Sequence, residues 1–137
     1  MGQLNRRHAL LSIAAASSLV SSSQAVAQGA ASTEGREIAP GVRRVDYTKR
    51  ETMIPNYKTV SMRDIIVQPG AKTVSPPMMN AMVCHITQGE LKVTQDGQEF
   101  VAKKDHVWTC AKGTTTEGAT NTGTTVAIMR ITDLLET

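Results

Sequence analysis

The chain has 137 residues, of which 15 are Lys or Arg and 12 are Asp or Glu. That length suits one domain rather than two. The positive excess is small and sits partly in Arg6 and Arg7, so it gives no ground for a nucleic-acid or anionic-membrane partner.

The N-terminal segment reads as an export signal. Arg6, Arg7 and His8 form a basic start, residues 9–20 are apolar and uncharged, and Ala25-Val26-Ala27 supplies the small-x-small step before a cleavage site. The apolar run is too short to span a bilayer, and no later segment does better. A core helix would be amphipathic, and this segment is not. Residues 1–27 are therefore read as a cleavable signal that directs the protein to the periplasm or outside the cell. The route is Sec or, given Arg6-Arg7, twin-arginine export, although Ala9 is small where that signal usually carries a large apolar residue. Removal of residues 1–27 leaves 13 basic and 12 acidic residues.

Residues 28–40 are small and polar and read as a flexible leader; residues 41–137 form the domain. Residues 41–47 suggest a first strand, and residues 48–57, with Pro55, a loop. Residues 58–67 alternate as a strand does. Gln68-Pro69-Gly70 turns the chain. Pro76-Pro77 excludes helix and central strand over 74–80. Residues 82–87 are apolar and β-branched, a buried strand, and Gln88-Gly89 turns. Residues 90–95 and 98–102 flank Asp96-Gly97, a strong hairpin signal. Residues 107–110 make a short strand, 112–122 a Gly/Thr/Asn-rich loop, and 124–132 a closing strand. About seven short strands and no helix predict an all-β sandwich or small barrel.

The order of these turns resembles the small single-domain cupins. The residues that carry the likeness are Pro69-Gly70, Gln88-Gly89-Glu90-Leu91, the Asp96-Gly97 hairpin, Asp105 ahead of a strand, and Asn121-Thr122-Gly123. The resemblance covers about residues 60–131 and implies a cupin-type β-barrel, the double-stranded β-helix or jelly roll. Such cupins hold a metal ion with three histidines and a glutamate. Anchored on Gly89, the family glutamate falls on Met82 and two of the histidines on Pro76 and Met78. Anchored on Asn121, the third falls on Glu117, with Thr116 as the other candidate. Asp105 matches the family aspartate, and Cys110 stands where proline is usual. All four ligands are replaced, so the resemblance carries over the scaffold and not the metal.

The remaining histidines do not restore the site. His85 is one residue off the inward parity of Met82, Cys84 and Ile86 and should point outward. His106 follows Asp105 at a turn and should be solvated. The expected pocket lining is Met78, Met82, Cys84, Ile86, Cys110 and Glu117. Glu117 in apolar surroundings is the candidate general acid or base. Cys84 and Cys110 form either a disulfide or two buried thiols. The methionines fill an irregular barrel, or Met78, Met82 and Cys84 form a soft site for copper(I).

The function expected is binding of a small organic ligand without a cofactor. The alternatives are a metal-dependent enzyme of oxygenase, isomerase or lyase type that uses a single transition metal ion with atypical ligands, and a copper-binding protein. The reading allows a homodimer. No nucleophile elbow, CxxC, phosphate-binding glycine loop or HExxH motif is present. Intact-mass measurement of the protein from its native host should show the loss of residues 1–27; a full-length cytoplasmic product would refute export.

Overall fold

The computed structural model describes residues 34–137, apart from the side chains of Thr116 and Glu117. The signal at residues 1–27 and the first part of the leader lie outside the described residues.

Ten strands are present among the described residues: β1 (Arg36–Ala39), β2 (Val42–Asp46), β3 (Arg50–Glu51), β4 (Thr59–Val67), β5 (Ala81–Gln88), β6 (Glu90–Gln95), β7 (Gln98–Lys103), β8 (Val107–Cys110), β9 (Thr116–Thr120) and β10 (Ala127–Leu135). All pair antiparallel. The larger sheet runs β1-β2-β4-β10-β5-β8, with β3 also on β4, and the smaller runs β7-β6-β9. The two sheets make the all-β barrel expected from the strand spacing.

Three expectations are corrected. The leader is not flexible to residue 40: β1 pairs with β2, Arg36 against Arg44 and Ala39 against Val42, which satisfies its backbone groups. The loop at 48–57 contains β3. The Gly/Thr-rich loop at 112–122 contains β9, which pairs with β6 and so places Ala119 in the core. Its small residues gave no apolar alternation to read.

Strand β10 lies at the centre of the larger sheet. It pairs with β4 from Ala127↔Val67 to Leu135↔Thr59 without a register shift, and with β5 on its other edge. Side chains opposite one another share a face. One row is therefore Arg63, Ile131, Cys84 and Trp108, and the next is Ile65, Met129 and Ile86. This face looks into the barrel. Fully buried Ile86, Leu91, Val42 and Val67 belong to the core.

On the outward face Asp64 is clamped. Arg130 donates from Nε and Nη2 to the two carboxylate oxygens, each at 2.8 Å, and the Tyr47 hydroxyl donates to Oδ2 at 2.8 Å. Burial alone would push the Asp64 carboxyl up. The hydrogen bonds from Arg130 and Tyr47 outweigh it and hold the group below its ordinary value.

Asn121 fastens the end of the barrel. Its Nδ2 donates to the carbonyls of Val67 at 2.9 Å and Thr125 at 2.8 Å, and its Oδ1 accepts from the Gly123 amide at 2.9 Å. The amide and carbonyl of Asn121 bond Ala71 and Gly70. This explains an asparagine at a fully buried position.

The Asp96-Gly97 turn has φ of 49° and 74°, both left-handed, as a type I′ hairpin requires. Gly118 has φ of 107°, and a Cβ there would stand 2.2 Å from the Thr73 carbonyl oxygen. A side chain at Gly97 meets nothing within 4 Å. Gly97→Ala should therefore cost about 1–2 kcal/mol from backbone strain alone. Gly118→Ala should cost clearly more, because backbone must also move. Urea unfolding of the two variants checks this; equal losses would refute the close approach of β9 to residue 73.

Candidate functional site: the barrel pocket

The inward row leaves a cavity of about 280 Å³ inside the barrel. Its wall consists of Ile65, Met129 and Ile131 from β4 and β10, Met82 and Cys84 from β5, Trp108 and Cys110 from β8, and Val93 and Ala119 from the smaller sheet. Residues 73–80 run across the mouth. They are held at one end by Thr73, whose amide donates to Ala119 and whose Oγ1 accepts from the Ala119 amide, each at 2.8 Å. At the other end Met78 exchanges backbone hydrogen bonds with Thr114 and Gly113.

Of the residues expected to line the pocket, Met78, Met82, Cys84 and Cys110 do so. Ile86 shares their face but lies deeper. It is fully buried in the core and does not line the cavity. Glu117 lies on β9; its side chain is outside the described residues, so its candidate role stays an expectation. His85 faces outward, with Nε2 at 3.8 Å from Asp105 Oδ1. His106 is exposed and stacks on Phe100, at 5.6 Å between ring centroids.

The two cysteines are free thiols, not the disulfide that the even count permitted. The register explains this. Cys110 lies opposite Met82, and Trp108 lies opposite Cys84, so the cysteines are diagonal neighbours. Diagonal positions are about 7–8 Å apart, at or beyond the reach of a disulfide. Contact with Cys84 holds the Cys110 thiol below its ordinary value. That contact, together with burial, pushes Cys84 up. As a thiol, Cys110 also donates to Gln95 Oε1 at 3.5 Å.

Most of the lining was missed from the sequence, and four of the missed residues bear on the chemistry of the site. Ile38 lies on β1, inside the supposed leader, and Trp108 closes one side. Arg44 and Arg63 bring charge to the wall. Arg44 donates from Nε and Nη2 to Asp46 Oδ1 at 2.7 and 2.6 Å. Arg63 donates from Nη2 to Asp133 Oδ1 at 3.2 Å, and Asn80 Nδ2 reaches the same oxygen at 3.0 Å. The Nε of Arg63 is buried and has no hydrogen-bond partner. The signal for Arg63 was its parity with Ile65 and Val67. It was hidden because Ile65, Ile66 and Val67 are apolar on both faces of the strand.

No family model matches the chain, and no curated protein does. Solved structures do match. An RmlC-like cupin from Shewanella frigidimarina is 17% identical, with a TM-score of 0.56 over 72% of this chain and 80% of that one. A Cupin_2 domain of an XRE family transcriptional regulator from Enterobacter cloacae is 17% identical, with a TM-score of 0.55 over 67% and 94%. A recombinant oxalate oxidase in complex with glycolate is 16% identical, with a TM-score of 0.58 over 79% and 59%. At these identities the likeness is one of fold. The chain is a small cupin-fold β-barrel, and the neighbours on this fold include both enzymes and a regulator domain.

Pro76, Met78 and Met82, the positions that the resemblance set against two histidines and a glutamate, line the pocket and offer no imidazole or carboxylate. Among the described residues no group of three or more His, Cys, Asp or Glu side chains converges. Iron, manganese, nickel and zinc need such donors.

The thiol pair gives a direct check. With iodoacetamide at neutral pH, Cys110 should be alkylated before Cys84, and the Cys110 rate should rise with pH ahead of an ordinary thiol. Peptide mass spectrometry reads the order. Faster labelling of Cys84 would overturn this assignment of the two thiols.

Proposed function

We propose that the chain is an exported protein that binds a small organic molecule in the barrel pocket. The observation that carries this reading is the cavity of about 280 Å³, walled by apolar side chains with a few polar groups at one side. That is the general make-up of small-molecule sites. Its volume is at the lower end of the range for drug-sized ligands, which favours a small one. The basic, apolar and small-x-small order at residues 1–27 supports the extracytoplasmic setting. The pocket is contained within one chain, so binding needs no second copy, though a homodimer is compatible with it.

A second reading is favoured by one specific observation. Met78, Met79, Met82, Cys84, Cys110 and Met129 bring six sulfur atoms to one cavity. Thiolate and thioether select copper(I). In this reading Cys84 and Cys110 are the primary ligands and Met82, opposite Cys110, the third.

The neutral fluorescent probe N-phenyl-1-naphthylamine tests the first reading. It should gain fluorescence on the wild-type protein. Met78→Trp, which fills the mouth, should weaken binding at least ten-fold and leave the circular dichroism spectrum unchanged. A wild-type protein that never enhances the probe would overturn the ligand-binding reading. Tight copper(I) binding, lost in Cys84→Ser with Cys110→Ser while probe binding persists, would establish the second.

A further inference from the structure

We infer that the pocket selects a small organic monocarboxylate with an apolar tail, and that Arg63 is the group that recognises the carboxylate. The inference rests on the pocket being a ligand site and names the class of ligand it takes.

The starting point is a mismatch between donors and acceptors. Arg63 sits on β4 opposite Ile131, in the row that faces the cavity. A guanidinium carries five N–H donors in a rigid fork. Here Asp133 takes one of them from Nη2, at 3.2 Å. The Nε donor is buried and unpartnered. The acceptor that would satisfy it is further committed, because Asp133 Oδ1 also accepts from Asn80. The other arginine on this wall, Arg44, turns both Nε and Nη2 onto Asp46. Arg63 is thus the pocket cation with a buried donor left unpaired. Buried polar groups are normally satisfied, and this guanidinium, which lines the cavity, has donors left for a ligand acceptor.

The surroundings narrow the class. A carboxylate matches the guanidinium fork and forms charge-assisted hydrogen bonds with it. Asp133 next to Arg63 and Asp46 on Arg44 balance the two arginines on this wall, which favours a monoanion over a dianion. Beyond Arg63 the wall is Ile65, Met129, Ile131 and Val93, which calls for a hydrocarbon tail. At roughly 30 Å³ per water, the cavity holds about nine waters, the scale of a short-chain or single-ring acid.

Isothermal titration calorimetry of the purified protein tests this with hexanoate and benzoate, their neutral counterparts hexanamide and benzamide, and inorganic phosphate. The carboxylates should bind at least ten-fold more tightly than the amides, and phosphate should not compete. Arg63→Gln should erase the preference by weakening the carboxylates to the level of the amides. Asp133→Asn keeps the acceptor for Asn80 and removes the competing charge, so it should tighten carboxylate binding. This second variant decides the matter even if Arg63→Gln does not fold. Amides that bind as well as the carboxylates would overturn the role of Arg63 and leave the ligand pocket standing. Carboxylate binding that is unchanged in Arg63→Gln, or weakened in Asp133→Asn, would also overturn it. If neither the four organic probes nor N-phenyl-1-naphthylamine binds, the pocket reading falls with it.

Discussion

The site depends on one constraint, the register of β10. This strand is hydrogen-bonded along both edges, to β4 on one side and β5 on the other. Side chains alternate between faces with a period of two, so a slip of one residue on either edge would turn the wall inside out. Arg63, Ile131 and Cys84 would then face solvent, and Asp64, Arg130 and His85 would enter the barrel. The clamp of Arg130 and Tyr47 on Asp64 opposes that slip, because it pairs the charged groups only in the register observed. The outward polar network and the inward apolar wall specify the same alignment, a consistency across levels expected of a sequence with one structure.

Much of the fold was legible in the residues. Alternation over β4 and β6 and the β-branched run of β5 marked strands, and Asp96-Gly97 fixed a hairpin. The parity set by Met82 and Cys84 placed His85 outside correctly. What was not legible has physical causes. The strand β1 has polar and exposed residues and exists because β2 offers it an edge, which no local pattern records. The strand β9 is built from Thr, Gly and Ala, and is held by pairing to β6 rather than by propensity. Within the site, Met78, Met82, Cys84 and Cys110 were legible because the turns anchored them. Ile86 was misplaced because alternation gives the face of a residue and not its depth. Arg63 was missed because hydrogen-bond satisfaction is a property of the assembled wall.

The pocket of this cupin fold is walled largely by sulfur and hydrocarbon. Methionine suits this, since its thioether is apolar and its chain flexible enough to fill an irregular space. The two thiols line the same wall, and their contact moves them apart in acidity, Cys110 below its ordinary value and Cys84 above it. Positive charge enters the cavity through Arg44 on β2 and Arg63 on β4. Under the proposed function, the polar end of a ligand lies toward these arginines and its apolar end toward the sulfur atoms.

The pairing of β10 also bears on the order in which the barrel is made. The β6–β7 hairpin joins residues adjacent in the chain, whereas the Arg130–Asp64 contact closes a separation of 66 residues. Long closures carry more entropy cost than short ones, and topologies rich in them fold slowly. Until β10 docks, Cys84 has solvent where Ile131 will stand. The sulfur wall is therefore open to the surrounding medium for as long as the chain is assembling, and the redox state of that medium acts on the thiols before the finished pocket can shelter them.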